Sequence, residues 1–213
     1  MKGSNTSAMF VTLEGGEGAG KSTSRDFIVS LFEDYKVPFV QTREPGGTPI
    51  GEALRELLLS KEGTAPSVTA ELLMVFAARA QHLHEVIEPA LREGKWVLCD
   101  RFTDATYAYQ GYGRGFDLGA IEALEALVQR GRHPDVTLLF DIDPQLGMAR
   151  ARRRAKLDRF EEEELEFFER IREGYVSRAK CSSRFKIIDA SQSIDDVQRV
   201  LGALLLPLFG EAP

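Results

Sequence analysis

Short, uninterrupted apolar runs recur along this chain, separated by longer stretches in which apolar residues return every three or four positions. The runs are residues 9–14 (MFVTLE), 37–42 (VPFVQT), 96–100 (WVLCD), 136–141 (VTLLFD) and 185–189 (FKIID). Their length and the turn residues beside them predict buried strands. Their apolar residues run together instead of alternating, as in parallel strands covered on both faces. Between them the pattern is helical. Thr48-Pro49 reads as an N-cap followed by proline in the first turn, and Ile50, Ala53, Leu54, Leu57 and Leu58 then share one helical face. Asp143-Pro144 opens a second helix in the same way, and Ser193 with Asp196 forms a capping box for the last one. Strand and helix alternate throughout, so the fold class is α/β: a three-layer sandwich around a five-stranded parallel sheet with right-handed crossovers. No repeat or linker divides residues 9–213, which read as one domain. Residues 1–8 (MKGSNTSA) are polar and patternless and read as a disordered tail or cloning scar, with Met9 a candidate native start.

Composition narrows the possibilities. The 213 residues suffice for one good-sized core, and a net charge of −6 argues against a nucleic-acid partner, which calls for a basic face. Small phosphorylated ligands need only a local cationic pocket. Cys99 and Cys181 lack metal-ligand spacing and read as reduced thiols. No apolar run reaches the length of a membrane span and no signal-peptide pattern opens the chain, so a cytoplasmic location is expected.

The first chemistry-bearing motif is Gly15-Gly16-Glu17-Gly18-Ala19-Gly20-Lys21-Ser22, a match to G-x-x-x-x-G-K-S/T, followed by Thr23. It follows a strand and opens a helix, the context that motif needs. Its glycines let backbone amides turn inward around phosphate oxygens, and the helix start adds its dipole. These residues are the expected ATP-binding loop of a P-loop NTP hydrolase fold. Lys21 would reach the β- and γ-phosphates and Ser22 would ligate Mg²⁺. Asp100, at the carboxyl end of the third run and followed by Arg101, is the expected second metal group.

Several segments together resemble the bacterial thymidylate kinase family. They are EGGEGAGKST (14–23), TREPGGTPIGEALRELLL (42–59), FAARAQHL (76–83), CDRFTDATYAYQGYGRG (99–115), HPD (133–135) and LDRFE (157–161). The resemblance spans nearly all of residues 9–206 and implies Mg²⁺-dependent phosphoryl transfer from ATP to dTMP, in a homodimer. A kinase acting on a monophosphate must hold two phosphate groups nose to nose, so it needs cations facing the P-loop. Arg43, Arg55, Arg79 and Arg101 supply them, and guanidinium forks suit phosphate and base edges. By resemblance, Arg55 and Arg101 grip the acceptor phosphate, Arg79 bonds the thymine edge, Thr106 and Gln110 read the base, and Glu17 contacts the sugar hydroxyl. The family's thymine-stacking phenylalanine falls here at Val75, with Phe76 beside it. Either Phe76 turns toward the base or the aromatic contact is weakened and Phe76 fills the core.

The basic segment RARRR (150–154) matches the family's lid, placed near residues 150–160. Gly18 stands where other relatives carry a P-loop arginine, so the resemblance leaves Arg152 or Arg154 to stabilise the transferring phosphoryl group. Asp158-Arg159 would anchor the lid, and the acidic run 161–164 would start the next helix. His82, His84 and His133 form no catalytic pairing. None is required, because a phosphate monoester oxygen is already largely deprotonated and attacks without a general base. Two rival readings remain open at this stage. One is a kinase for another nucleotide or a nucleoside; the other is a P-loop switch, although the guanine-reading N-K-x-D segment is missing.

Overall fold

A computed structural model describes residues 8–61, 64–153, 159–160 and 163–209. Residues 1–7 of the tail expected at 1–8, and within the lid segment Arg154 and Asp158, lie outside the described residues. Five strands, β1 (Phe10–Glu14), β2 (Phe39–Arg43), β3 (Trp96–Asp100), β4 (Val136–Asp141) and β5 (Phe185–Asp189), form one sheet in the order β2-β3-β1-β4-β5. Every pairing is parallel. The helical elements are α1 (Lys21–Asp34), α2 (Pro49–Leu59), α3 (Val68–His82), α4 (Glu88–Arg92), α5 (Thr103–Thr106), α6 (Leu118–Gln129), α7 (Pro144–Arg152), α8 (Leu165–Lys180) and α9 (Ile194–Leu205). Two π-helical stretches, Leu83–Ile87 and Tyr107–Gly113, continue α3 and α5.

The strands fall where the apolar runs predict, with one shift. The second begins at Phe39, because Val37 closes α1 through its N–H to the Phe32 carbonyl and Pro38 has no N–H to give a ladder. The expectation of cover on both faces holds for β1, β3 and β4, whose side chains are almost all buried. It fails for β2 and β5, which are the sheet edges and carry exposed positions. On one face Val11, Leu13, Leu98 and Phe140 pack with Phe32 of α1 and Leu201 and Leu205 of α9. On the other, Phe10, Val97 and Cys99 meet Leu83, Ile87 and Phe102. Each such large side chain contributes roughly 1.5–3 kcal/mol through burial.

The predicted caps form. Thr48 Oγ1 accepts from Gly51 N at 3.0 Å, Asp143 Oδ1 from Gln145 N at 2.9 Å, and Ser193 Oγ from Asp196 N at 3.2 Å. The predicted apolar face of α2 is only partly covered: Leu58 is buried, but Ile50 and Leu57 are more than half exposed.

The topology places the chemistry. After β1 the chain enters α1 on one face, and after β3 it turns to the opposite face. Leu13 pairs with Asp100, and Arg101 N donates to the Leu13 carbonyl at 2.9 Å. The P-loop and the Asp100-Arg101 turn therefore stand side by side at the carboxyl ends of adjacent strands and splay apart, forming a crevice.

Candidate active site

The phosphate loop is built from the end of β1. Gly20, at φ 79°, turns the chain into α1 in a left-handed conformation and offers no side chain to cap it. The first turn of α1 also carries no acidic residue, so its N–H groups remain available to an anion. Lys21 is buried, and its Nζ donates to the carbonyls of Gly15 at 2.9 Å and Gly16 at 2.7 Å. Burial, then the neighbouring Arg101 charge, brings the amine down to about 8. Ser22 follows on the exposed side of the same turn. The loop is pressed from behind by α7: a Cβ on Gly18 would collide with the Gly147 carbonyl, and one on Gly147 with the Glu17 carbonyl.

Arg101 faces this loop. Its φ of 70° is unusual for a non-glycine residue, and the surrounding bonds fix it. Its NH1 donates to the Gly15 carbonyl and to Tyr175 Oη, each at 3.1 Å, and its NH2 pairs with Glu17. The guanidinium lies 4.8 Å from the ring centroid of Tyr109, whose hydroxyl donates to Glu17 Oε1 at 2.8 Å. Beneath them the fully buried Glu14 accepts from Phe102 N at 2.7 Å and from Tyr175 Oη at 2.9 Å. Burial, then the Asp104 charge, pushes the Glu14 carboxyl up to about 8. Asp100 Oδ1 is buried with no hydrogen-bond partner among the described residues.

A cavity of about 300 Å³ runs from this cluster toward α3, at the lower end of the range for small-molecule sites. Glu17, Lys21, Asp100, Arg101 and Tyr109 line its phosphate end, and Arg79, Thr106, Gln110 and Val75 its far end. Arg79 is 1% exposed. Its Nε donates to Glu44 Oε2 at 2.8 Å and its NH2 to Thr106 Oγ1 at 2.9 Å, while NH1 is buried without a partner among the described residues. Gln110 Nε2 donates to the buried Glu71 at 2.8 Å. Arg55 also lines the cavity and donates to the Pro45 carbonyl at 2.9 Å. Arg43 lines it too, paired with Glu52 at 2.7 Å.

The alternatives at residues 75 and 76 resolve geometrically. Val75 lines the cavity, whereas Phe76 packs with Leu72, Tyr107 and Ile121 and does not line it. Residue 75 follows the helical phase of Arg79, four positions on, and Phe76 faces the core. The expectation of Phe76 against the base is therefore corrected: its ring lies 5.0 Å from the Arg79 guanidinium carbon and supports the arginine.

Arg152 closes α7 and is exposed, and Arg154 lies outside the described residues. Arg159 reaches back to the Leu58 carbonyl at 2.9 Å and to Glu71 at 2.6 Å, tying its segment to α2 and α3. The acidic run contributes Glu164 as the residue before α8, while Glu163 pairs with Arg114 at 2.6 Å.

Sequence reasoning passed over Glu14, Glu44, Tyr109 and Tyr175. Glu14 carried a signal, a carboxylate ending an otherwise apolar strand, and Glu44 sits inside TREPGG. Tyr175 had none, since it is one aromatic position on the amphipathic α8.

The profile of the family described as thymidylate kinase matches residues 13–201. The protein named thymidylate kinase from Pseudomonas putida (strain GB-1) is 54% identical over 200 residues, covering 93% of this chain and 95% of that protein. Its counterpart from Teredinibacter turnerae is 56% identical over 201 residues, covering 92% and 98%. The crystal structure of thymidylate kinase from Ehrlichia chaffeensis superposes with a TM-score of 0.75 at 36% identity, covering 93% of this chain and 98% of that one.

Proposed function

Because the chain belongs to the thymidylate kinase family, we propose that it transfers the γ-phosphoryl group of ATP to dTMP, giving dTDP and ADP. The observation that carries this reading is the pairing of two ends in one cavity. Lys21 and the open first turn of α1 stand at one end, and at the other stands a buried arginine whose NH1 has no partner among the described residues.

ATP phosphates would take the inward-facing amides of residues 15–20, displacing the Gly15 and Gly16 carbonyls as partners of Lys21. The dTMP phosphate would lie between the P-loop and Arg101, whose guanidinium already faces that space, with Arg55 on its other flank. Thymine would reach the far end, where Arg79 NH1 can donate to a ring carbonyl and Val75 packs against the ring face. Thr106 and Gln110, already engaged by Arg79 and Glu71, would hold that end in shape. Attack by a monophosphate oxygen is in line. Lys21, Arg101 and a lid arginine, Arg152 or Arg154, would stabilise the charge spread over the transferring group.

The residues fit a magnesium ion. Asp100 keeps a buried carboxylate oxygen without a partner among the described residues, and Ser22 presents a hydroxyl at the start of α1. Few protein ligands are needed, since magnesium retains waters and phosphate oxygens. Held there, the ion would supply positive charge to offset that of the nucleotide phosphates.

We also propose a homodimer through α2 and α3. Ile50 and Leu57 on α2 and Leu73 on α3 are each at least half exposed and would find cover in a second copy. Among the described residues no helix is long and apolar enough to cross a membrane. A cytoplasmic location belongs to the same reading.

The test is ADP release from ATP and Mg²⁺ with dTMP, dUMP, dCMP, dGMP, AMP or thymidine supplied in turn. Strong turnover with dTMP and less with dUMP is expected. Equal rates with every acceptor, or with none, would leave a nucleotide-binding protein of another specificity.

A further inference from the structure

His82 has no part in phosphoryl transfer, yet it is fully buried at the end of α3, three residues beyond Arg79. An imidazole in that position needs a partner for each nitrogen. Nδ1 lies 2.9 Å from Glu44 Oε1 and Nε2 lies 2.7 Å from Thr42 Oγ1. A carboxylate oxygen accepts, so the arrangement fits an Nδ1–H directed at Glu44, with the Thr42 hydroxyl bonding Nε2. The other oxygen of Glu44 accepts from Arg79 Nε at 2.8 Å. One carboxylate on the loop after β2 is thus clamped by two donors from α3.

The loop seals this arrangement. Gly47, at φ 79°, passes so close that a Cβ there would lie 2.7 Å from the His82 ring and 2.6 Å from Thr42 Oγ1. Nothing larger than glycine fits without opening the chain. The clamp in turn fixes the guanidinium. Nε is held by Glu44 and NH2 by Thr106, and the rings of Phe76 and Phe102 each stand 5.0 Å from its central carbon. A planar fork held at two nitrogens has no rotation left, so the position of NH1 is set by what holds the rest. NH1 is the nitrogen left without a partner among the described residues, on a side chain that lines the far end of the cavity.

We propose that Glu44 and His82 are positioning residues for acceptor specificity. They lock Arg79 so that NH1 meets a carbonyl oxygen on a pyrimidine and rejects an amino group at the same place. The inference rests on the phosphotransferase reading above and deepens it, by assigning base discrimination to a chain of bonds running from Thr42 to Arg79. A buried charge-assisted bond left unmade is the source of the effect.

The test is steady-state kinetics on His82→Leu, His82→Gln and Glu44→Gln, with dTMP and dCMP as competing acceptors and thermal denaturation as the check of folding. In His82→Leu, KM for dTMP should rise roughly tenfold and the preference for dTMP over dCMP should fall by a similar factor. KM for ATP should stay within about twofold. His82→Gln, whose amide can still donate to Glu44, should recover much of the loss, and Glu44→Gln should resemble His82→Leu. A folded His82→Leu with unchanged dTMP KM and unchanged preference would overturn the proposal, as would equal rises in both KM values. Should His82→Leu fail to fold, Thr42→Val removes only the hydroxyl on Nε2. It should shift the same two quantities in the same direction by less, and no shift would count against the proposal. Turnover of the unmutated protein with dTMP is measured alongside. Failure there defeats the phosphotransferase reading, whereas normal turnover with unresponsive variants defeats this inference alone.

Discussion

At the scale of single residues, Lys21 carries the clearest division of labour. Its amine closes the loop on itself through two carbonyls, in a site dry enough to lower its affinity for a proton. That arrangement is unfavourable for a lone charge and becomes favourable once phosphate oxygens arrive, so the group is poised for an anion. Lys21→Ala should therefore lower kcat by roughly 10²–10³-fold, the scale of losing one preorganised transition-state donor. The far-UV spectrum should be unchanged, because the first turn of α1 keeps its backbone bonds. Near-normal turnover would sink the assignment. Lys21 was legible because its motif has a fixed spacing. Glu44 and Tyr175 were not, because their roles depend on partners 35 and more positions away, Arg79 for one and Glu14 for the other. A sequence read locally carries no record of such pairs. The Val75/Phe76 question was also beyond it, since a one-residue difference in helical phase depends on how α3 packs.

At the scale of elements, caps and apolar runs were legible because they are local. Thr48, Asp143 and Ser193 each bond an N–H within three residues. The π-helical stretch Tyr107–Gly113 was not, since no local pattern in its residues marks the wider turn; in the structure it packs against α8. Two contacts between elements are open to test. Gly147 brings α7 against the backbone of the P-loop, and Gly147→Ala would force its Cβ into the Glu17 carbonyl. Overpacking at such a contact costs about 1–3 kcal/mol. Displacement of Glu17 and Gly18 should lower kcat/KM for ATP by roughly tenfold. An unaltered ATP profile in a stable variant would refute the close contact. The second is Asp104 at the start of α5. It is fully buried and accepts from Arg184 at 2.7 and 2.8 Å and from Arg178 at 2.9 Å. Asp104→Asn leaves both guanidinium groups poorly matched and should destabilise the fold by about 3 kcal/mol, the lower end for a broken buried pair. The lower end applies because Arg178 retains 26% of its side-chain exposure. Urea unfolding measures it, and a midpoint equal to the parent's would show the pair to be dispensable.

At the scale of the molecule, the sheet order decides what the cavity is made of. Apolar runs name five strands but not their neighbours. The crevice depends on β1 lying beside β3, so that the P-loop and the Asp100-Arg101 turn meet. The far wall comes from α3 and from the helical segment after β3, brought in by the opposite face of the sheet. The lining therefore spans residues 17–160 of the chain, which is why composition and spacing could suggest the cations but not their enclosure. An overall charge of −6 surrounding a cavity lined by Lys21, Arg55, Arg79 and Arg101 makes the attraction for phosphate local. A ligand that fits should then join elements from both faces of the sheet and stabilise the whole fold, not one loop. At 100 times its dissociation constant, dTMP should add about 2.7 kcal/mol of stability. For a chain of this size that corresponds to a rise of about 5–10 °C in Tm. The shift should appear as one cooperative transition moved upward, and dCMP at the same concentration should move it less, because Arg79 NH1 would face an amino group. A dTMP shift confined to a minor early transition would mean that the nucleotide touches one element only. Equal shifts with dTMP and dCMP would mean that the phosphate, gripped near Arg101, supplies all of the binding and that Arg79 does not read the base.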